Sequence, residues 1–383
     1  MPESEPSAPP PIPAASQGVP PPATSKGQEV RLRCKNCGAQ VTWDPDEDAL
    51  VCAYCQTSTR VPRADGGIVE HTLADAGTAA RGLGVDVKVA RCQRCGAQVT
   101  FDERTTSKVC VFCGSAQVLE QTANRNALRP ESLIPLDVGR AAVEKEFRAW
   151  LARLWFRPTA LRSQRDFAAV GVYVPFWTFD ARVHSDWSAD SGTYYYVTEP
   201  TVVIVNGRPS VRMRQVRHVR WEPAWGARDD VYDDLLVNGS KGLPEKLALE
   251  LGAFDTKALV PYRPEYLAGW RAEEYAVDLE AGFANARATI EARQTDRCGG
   301  DVPGDTHRDL RVQNRLADVR WKHVLLPVWS LTYRFQGRGY AVLVHGQTGK
   351  VVGEAPYSWI KIVLLALAIG IVVLAAVAIL GVS

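Results

Sequence analysis

The chain has 383 residues, of which 46% are hydrophobic and 9% aromatic, and its formal net charge is +2. This length predicts two or three domains with a proper hydrophobic core. The balanced charge argues against a protein that works mainly by coating nucleic acid, because such proteins are usually strongly basic.

The N-terminal segment, residues 1–28, holds nine of the chain's 24 prolines. It has neither a positively charged start nor a continuous apolar stretch, so it does not have the pattern of a secretory signal peptide. We predict a disordered, proline-rich tail that is locally polyproline-like. A ligand for a proline-recognition domain is the alternative interpretation.

A duplicated cysteine pattern follows this segment. Within each copy two CxxC pairs are separated by 14 residues, and the second copy begins 58 residues after the first. Four thiolates at this spacing are enough to close a tetrahedral Zn²⁺ site. We therefore predict two tandem four-cysteine zinc ribbons, residues 29–60 and 91–120, joined by a linker, residues 61–90, and each holding a structural Zn²⁺. The predicted zinc ligands are Cys34, Cys37, Cys52, Cys55, Cys92, Cys95, Cys110 and Cys113.

Disulfide pairing within each copy is the alternative to zinc. It is disfavoured because a secretory signal is lacking, and thiolate ligands imply a reducing compartment. Aromatic residues at matching positions of the two ribbons could stack on bases, but we interpret them as packing two small ribbon cores. Lys and Arg supply 13 charges between residues 29 and 129, and Asp and Glu supply 12, which does not favour nucleic-acid binding. The aromatic residues are Trp43, Tyr54, Phe101 and Phe112.

Residues 130–356 are predicted to form an α+β domain of antiparallel sheets with helices. Val143, Phe147 and Leu151 recur at helical spacing and predict a helix over residues 138–156. The other predicted elements are a helix at Leu243–Leu251, a helix from Leu279 to Ile290, a loop that contains Cys298, and the strands Gly171–Trp187, Tyr194–Val197, Thr201–Val205, a return strand after the turn Asn206-Gly207, Val319–Arg334, Gly339–Val344 and Lys350–Gly353.

A fainter duplication lies inside this domain. The motif Pro175–Phe179 is similar to Pro327–Leu331, and a predicted helix precedes each motif. We interpret the domain as two related α+β modules, each an antiparallel sheet with a helix on one face.

The return strand is rich in arginine and is followed by an acidic cluster. The arginines could form a surface for anions or lipid headgroups. The interpretation we prefer is ion pairing between the arginines and the acidic residues. The arginines are Arg208, Arg212, Arg214, Arg217 and Arg220, and the acidic residues are Glu222, Asp229, Asp230, Asp233 and Asp234.

The sequence offers weak candidates for catalysis. Cys298, Asp305 and His307 lie close together and could form a thiol–imidazole pair, and His307, His323 and His345 could form a third metal site. Neither set has a diagnostic spacing. We expect structural roles for both sets and do not expect an enzyme.

The C-terminal stretch Ile362–Val382 has 21 residues without a charge or a proline, about the 20 that a helix needs to cross a bilayer. We predict a transmembrane helix over residues 361–382. Lys350 and Lys361 precede it, which by the positive-inside rule places the N-terminal ribbons and α+β domain in the cytoplasm. The expected protein is tail-anchored in the cytoplasmic membrane as a single-pass protein, and a buried soluble helix is the alternative.

Together with the cysteines, four further stretches resemble a family of bacterial zinc-ribbon membrane proteins. Members are named as transcription-factor-IIB-type zinc-ribbon proteins or after the replication-restart (primosomal N′) helicase. A helicase needs the phosphate loop GxxxxGK[ST]; the nearest match, Gly346–Lys350, is too short and is followed by Val351. The resemblance therefore implies architecture and no particular activity. The terminal hairpin is also similar to the end of PepSY-type modules. The four stretches are Gly171–Asp180, Asp301–Arg308, Trp321–Trp329 and Gly346–Trp359.

Two hypotheses about function follow. In the first, the chain is a scaffold that presents the ribbons and the α+β domain to a protein partner at the cytoplasmic face of the membrane. In the second, it binds nucleic acid in replication or transcription, and its binding weakens steeply with salt.

Overall fold

The computed structural model describes residues 32–62, 67–83, 88–101, 109–122, 124, 126–163, 167–205 and 208–380. The predicted tail, residues 1–28, lies outside these ranges. The elements in chain order are β1 (Val41–Asp44), β2 (Ala49–Cys52), β3 (Ser58–Thr59), β4 (His71–Thr72), β5 (Lys88–Cys92), β6 (Gln98–Phe101), β7 (Val118–Thr122), β8 (Ser132–Leu133), α1 (Arg140–Arg153), β9 (Phe167–Val205), β10 (Arg208–Asn238), α2 (Glu245–Leu251), β11 (Val260–Pro261), β12 (Arg271–Ala272), α3 (Leu279–Asp301), β13 (Thr306–Phe335), β14 (Arg338–His345), β15 (Val351–Gly353) and α4 (Trp359–Leu380).

The strands form one large central sheet and two small ones. The central sheet has the order β10-β9-β13-β14-β15, and β4, β8, β11 and β12 pair at its margins. The small sheets, β1-β2-β3 and β6-β5-β7, carry the two cysteine patterns. The strand β4 comes from the predicted linker and pairs with β13 at Arg320 and Trp321, so part of the linker belongs to the central sheet.

Three strands of the central sheet are much longer than the sequence predicted. The strand β9 has 39 residues, β10 has 31 and β13 has 30. Three predicted segments merge into β9, because threonines and tyrosines continue its extended backbone through the polar stretch between them. The predicted turn Asn206-Gly207 lies outside the described residues, and Val205 pairs with Arg208 on either side of it.

At one end β9 and β10 extend beyond β13. The strand β13 begins at Thr306, opposite Gly192. Gly192 is the last residue of β9 that also pairs with β13. From Gly192 to Val205, β9 pairs with Arg208–Trp221 of β10, and beyond Gly192 it pairs with no other described strand. We call this two-stranded segment, residues 192–205 and 208–221, the arm, and we call the opposite end of the sheet, where β8, β14 and β15 join, the base.

The base of the sheet is covered on both faces, and each ribbon contributes to one face. Successive residues of β9 point to opposite faces. Tyr173 packs in the apolar cluster that contains the first ribbon and α1, whereas Val172 and Val174 pack in the cluster that contains the second ribbon and α2. The ribbons therefore form layers of the same core as the α+β domain.

The helix α3 covers the part of the sheet between the base and the arm. Leu279, Ala286 and Ile290 are buried against Trp177 and Phe179. The predicted loop around Cys298 is wrong, because α3 continues to Asp301. The buried positions recur every four residues through Gln294 to Cys298, so sheet packing holds the helix together up to the glycines of its last turn.

The two related motifs make matching contacts within one sheet. The Trp177 Nε1 donates to Val277 O, just before α3, and the Trp329 Nε1 donates to Val138 O, just before α1, both at 2.9 Å. Correspondingly, β12 pairs in parallel with β9, and β8 pairs in parallel with β13. The prediction of two separate sheets is wrong. The helix that precedes each motif in sequence packs on the other motif, so the two halves are interlocked.

The helix α4 follows the base directly. Glu354 N donates to Ala341 O, Ala355 is buried in the core, and Ser358 N donates to Phe156 O. The segment that connects β15 to α4 is therefore held against the protein at both of its ends.

Candidate metal centres

Each CxxC pair folds into the same tight turn. The backbone N–H of the first cysteine donates to the carbonyl five residues later, and the N–H four residues later donates back to the first cysteine's carbonyl, at 2.7–3.0 Å. This turn directs both thiols of a pair to one side. The N–H groups of Cys34, Cys52, Cys92 and Cys110 donate to the carbonyls of Ala39, Thr57, Ala97 and Ser115, respectively. The carbonyls of the same four cysteines accept from the N–H groups of Gly38, Gln56, Gly96 and Gly114.

The fourth residue after each first cysteine has a positive φ. Three of these residues are glycines, Gly38, Gly96 and Gly114, with φ between 67° and 80°, and the fourth is Gln56 with φ 57°. A residue with a Cβ pays a conformational penalty in this region. The second turn of the first ribbon is therefore the strained member of the set.

The four sulfurs of each ribbon lie within 4.8 Å of one another. Cys34 Sγ is 3.5 Å from Cys55 Sγ, and Cys92 Sγ is 3.7 Å from Cys113 Sγ. A Zn–S bond of about 2.3 Å in a tetrahedron places sulfurs about 3.8 Å apart, whereas a disulfide needs about 2.05 Å. The eight predicted ligands thus form two four-cysteine groups whose geometry fits zinc and does not fit disulfide bonds.

Hydrogen bonds favour the thiolate form of Cys34 and Cys55, whereas hydrogen bonds with the neighbouring thiols raise the pKa of Cys37 in the same group. The backbone N–H groups of Cys37 and Asn36 lower the pKa of Cys34. The hydroxyl and backbone N–H of Thr57 lower the pKa of Cys55 to about 5. A bound Zn²⁺ would be held by all four thiolates, and its role would be to hold the two turns of a ribbon together, since four protein ligands fill a tetrahedral site.

The first ribbon is fixed to the domain mainly through Trp43. This side chain is buried and its ring lies 4.8 Å from that of Tyr266. Its indole N–H donates to Leu136 O, and the Trp270 Nε1 donates to Trp43 O at 3.0 Å. Trp43 therefore packs between ribbon and domain, and the predicted ribbon core is continuous with the core of the domain.

The second ribbon is fixed by hydrogen bonds to the opposite face. Ala272 N donates to Thr100 Oγ1 and Glu274 N donates to Gln98 O, both at 2.8 Å. Ser330 Oγ donates to Val111 O. These contacts bind β6 and the second cysteine turn to β12 and β13, so the position of this metal centre is fixed by the sheet.

Two of the four ribbon aromatics are closed to base stacking. Trp43 and Phe112 are both buried, so neither ring is open to a base. Tyr54 is 82% exposed, so its predicted role in core packing is wrong. Nothing is described for the side chain of Phe101.

Two of the candidate catalytic residues have surroundings that suit structural roles. Cys298 is buried in α3, and burial raises the pKa of its thiol. Asp305 Oδ2 accepts a hydrogen bond from Tyr194 N at 2.7 Å, so this carboxylate fixes the chain at the start of the arm. A thiol of raised pKa is a poor nucleophile.

The three candidate histidines lie at different places on the sheet. His307 is opposite Ser191 near the arm, His323 is opposite Trp177, and His345 is opposite Val328 at the base. Burial lowers the pKa of His323 to about 4, and burial also lowers the pKa of His345 below its usual value. The predicted alternative of a third metal site formed by these histidines is wrong.

Among the described side chains, no ion pair joins the arginines of the return strand to the acidic cluster, so the preferred interpretation is wrong for these residues. Arg217 lies over the ring of Tyr194 at 4.4 Å, and Arg220 lies over that of Tyr195 at 5.7 Å. The acidic residues pair elsewhere, because the strand is long and carries them far from the arm. Their partners are His184 for Asp229, Arg228 and Arg297 for Asp230, and Lys322 for Asp234.

One residue that the sequence did not single out lies between the second ribbon and the domain. Glu273 is 1% exposed. Its Oε1 accepts from Gly242 N at 3.2 Å, and its Oε2 has no partner among the described residues. Burial raises its pKa to about 8. No sequence signal could have found it, since its burial arises from the docking of the ribbon.

Within the described residues, one helix is long and apolar enough to cross a membrane. It is α4, and none of the residues in its stretch Trp359–Val377 is buried. Length and composition make it a candidate membrane span.

Comparison with curated proteins finds a relative in Bacillus subtilis (strain 168), "Uncharacterized protein YdjG", which is 25% identical over 331 residues. The alignment covers 86% of this chain and 91% of the relative. No family model and no solved structure matches the chain. The similarity extends over most of both proteins, and the relative's name assigns no activity.

Proposed function

We propose that this protein is a membrane-anchored scaffold that binds a protein partner through the arm, with two structural Zn²⁺ ions holding the base of the sheet. In this proposal α4 crosses the cytoplasmic membrane once, and the ribbons and sheet lie in the cytoplasm. Lys350 and Lys361 next to α4 and the eight thiolate ligands support that orientation. The observation that carries the proposal is the exposed apolar face of the arm.

The outer part of the arm has one apolar face. Val202 pairs with Val211, Ile204 with Pro209 and Pro200 with Met213, and paired residues of antiparallel strands lie on the same face. Val202, Ile204, Val211 and Met213 are each at least 65% exposed. Contiguous apolar surface of this kind on a soluble element marks an interaction site.

The opposite face of the arm is polar and basic. Arg212 is opposite Thr201, and Arg214 is opposite Glu199. The whole arm contains five arginines and a single acidic residue, Glu199. Two arms would therefore repel each other, so we assign the surface to a different protein with an acidic margin around an apolar patch.

The distance between the arm and α4 also favours a protein partner over lipid. The helix α4 is tied to Phe156, shortly before β9 begins, whereas the tip of the arm is at the other end of β9. At about 3.3 Å per residue, the 39 residues of β9 reach on the order of 120 Å along the strand. The arm thus lies far from the membrane anchor.

The test is co-purification of the full-length protein from detergent-extracted membranes. The variant Val202→Ser/Ile204→Ser/Val211→Ser should lose a specific partner, because these side chains are exposed and support no core. The control Trp225→Ser/Val231→Ser removes two equally exposed apolar side chains outside the arm and should keep that partner. Recovery of the same proteins with both variants, or of the protein alone without any variant, would reject the proposal.

A second candidate function, nucleic-acid binding, is supported by the arginines and tyrosines of the arm. Arginines and aromatic rings on an exposed pair of strands such as the arm can contact phosphates and bases. The test is gel retardation of single- and double-stranded DNA and RNA by the full-length protein in detergent. Retardation that weakens with salt and is lost in Arg212→Ala/Arg214→Ala supports this function, and its absence at low salt rejects it.

A further inference from the structure

The loop that follows α1 forms an exposed aromatic surface beside the first turn of α4. Trp155 is 69% exposed and Trp359 is 74% exposed, and Phe156 and Tyr357 are also exposed. Four exposed aromatic side chains next to an apolar helix form a contiguous patch of the kind that marks an interaction site.

The loop and the helix are joined by direct hydrogen bonds. Lys361 Nζ donates to Trp155 O at 3.2 Å and to Arg157 O at 2.9 Å. Ser358 N donates to Phe156 O at 2.8 Å. These bonds fix residues 155–157 at the level of the first turn of α4.

Two cations complete this surface. The Arg157 guanidinium lies 3.6 Å from the centre of the Tyr357 ring, and Lys361 Nζ lies 5.9 Å from the centre of the Trp155 ring. Indole and phenol rings beside Lys and Arg are the side chains that favour the headgroup region of a bilayer.

We propose that Trp155 and Phe156 form a second membrane contact, inserted into the phospholipid headgroup region beside α4. The inference rests on the proposed membrane insertion of α4. It adds to the membrane contact the loop after α1, which is distant from α4 in the sequence. The bilayer is the assigned occupant because Lys361, at the start of the span, holds this loop in place. The contact fixes the base of the sheet on the membrane surface.

The test is photo-crosslinking to phospholipid with the full-length protein in phosphatidylcholine–phosphatidylglycerol vesicles. Three versions each carry p-benzoylphenylalanine in place of one exposed tryptophan: Trp155, Trp359 or Trp225. We expect lipid adducts at 155 with a yield close to that at 359, and none at 225, which lies on β10 away from α4. Two Zn²⁺ per chain in each version reports intact folding.

The outcomes separate the two proposals. Adducts at 359 without adducts at 155 would overturn the second contact while leaving the span in place. The lack of adducts at both positions would overturn the span and the second contact together. Equal adducts at all three positions would show unspecific contact and would also overturn the assignment.

Discussion

Glu273 carries a carboxyl group into the interface between the second ribbon and the sheet. The equivalent position before α1 is Ile134, whose N–H donates to Leu325 O as that of Glu273 donates to Tyr173 O. An apolar residue thus fits this backbone arrangement. Glu273 accepts a hydrogen bond from Gly242 N, and burial raises its pKa from 4.5 to about 8.

The raised pKa predicts that stability falls as the pH rises. The folded protein binds this proton more tightly than the unfolded chain, so the contribution is complete below about pH 4.5 and is lost as the pH rises to about 8. Glu273→Gln should therefore be more stable than the wild type at pH 8, by on the order of 2–4 kcal/mol. Thermal unfolding in detergent from pH 5 to 9 measures this, with Glu222→Gln as an exposed control. Parallel pH profiles for the wild type and Glu273→Gln would contradict the prediction.

Gln56 is the non-glycine among the four positive-φ positions of the cysteine turns. Gln56→Gly should stabilise the first ribbon by up to about 1 kcal/mol, because glycine adopts this conformation without strain. Gly114→Gln, the matched exchange in the second ribbon, should destabilise it by a similar amount, since Gly114 has φ 67° and ample space. Zinc release against a competing chelator measures both effects. Changes of the same sign in the two variants would show that φ does not decide them.

At the scale of elements, α4 should behave as a membrane anchor. Replacing Leu367 and Ile371, in the middle of the helix, by arginine should prevent stable insertion, because each charge costs about 2.5–3.5 kcal/mol at the bilayer centre. Resistance to alkaline carbonate extraction is the measurement. The control Leu249→Arg places a charge on the exposed face of α2 and should leave extraction unchanged. A double arginine variant that stays in the membrane fraction would show that α4 is not the anchor.

The elements show which parts of the structure the sequence could predict. The CxxC spacing places eight thiols in two groups, because each tight turn and its pairing are encoded locally. Helices α1 and α4 follow from periodicity and from length. By contrast, the full length of β9 depends on pairing with β10 and β13, and those partners are distant in sequence. For the same reason the environments of Glu273, Trp43 and Trp155 could not be predicted from the sequence. Whether each of these side chains is buried or exposed depends on contacts with segments that are distant in the sequence.

The long outer strands carry features that limit association at their edges. The strand β10 contains Pro223 and shifts its register between Tyr232 and Leu235, and β13 shifts its register near Asp309 and Asp318, both with positive φ. Bulges and prolines interrupt the row of free backbone groups that would otherwise recruit another strand. These irregularities interrupt the free edges of β10 and β13.

For the whole molecule, the ribbons and the sheet should unfold together. Each ribbon forms part of the cover over one face of the base, so loss of either metal removes a layer of the core. We expect a strong zinc chelator to lower the melting temperature of the entire protein by at least about 5 °C. Cys95→Ser should reproduce part of this effect.

Near-ultraviolet circular dichroism follows the melting of the core, because Trp177 and Trp329 are fully buried in the sheet and have fixed surroundings. If zinc loss leaves that transition unchanged, the ribbons are independent domains that only rest on the sheet. A coincident shift of the tryptophan signal and the zinc-release curve is the expected result.

Because each half of the sheet packs on the helix of the other half, the core can be completed only late in synthesis of the chain. The carbonyl of Val138 meets its indole donor, Trp329, only after 191 further residues have been added. Contacts this distant in sequence slow folding. A ribosome therefore releases α1 long before its docking surface exists, and the last strand of the base, β15, emerges just ahead of α4. Completion of the core and emergence of the apolar helix α4 from the ribosome therefore follow each other closely.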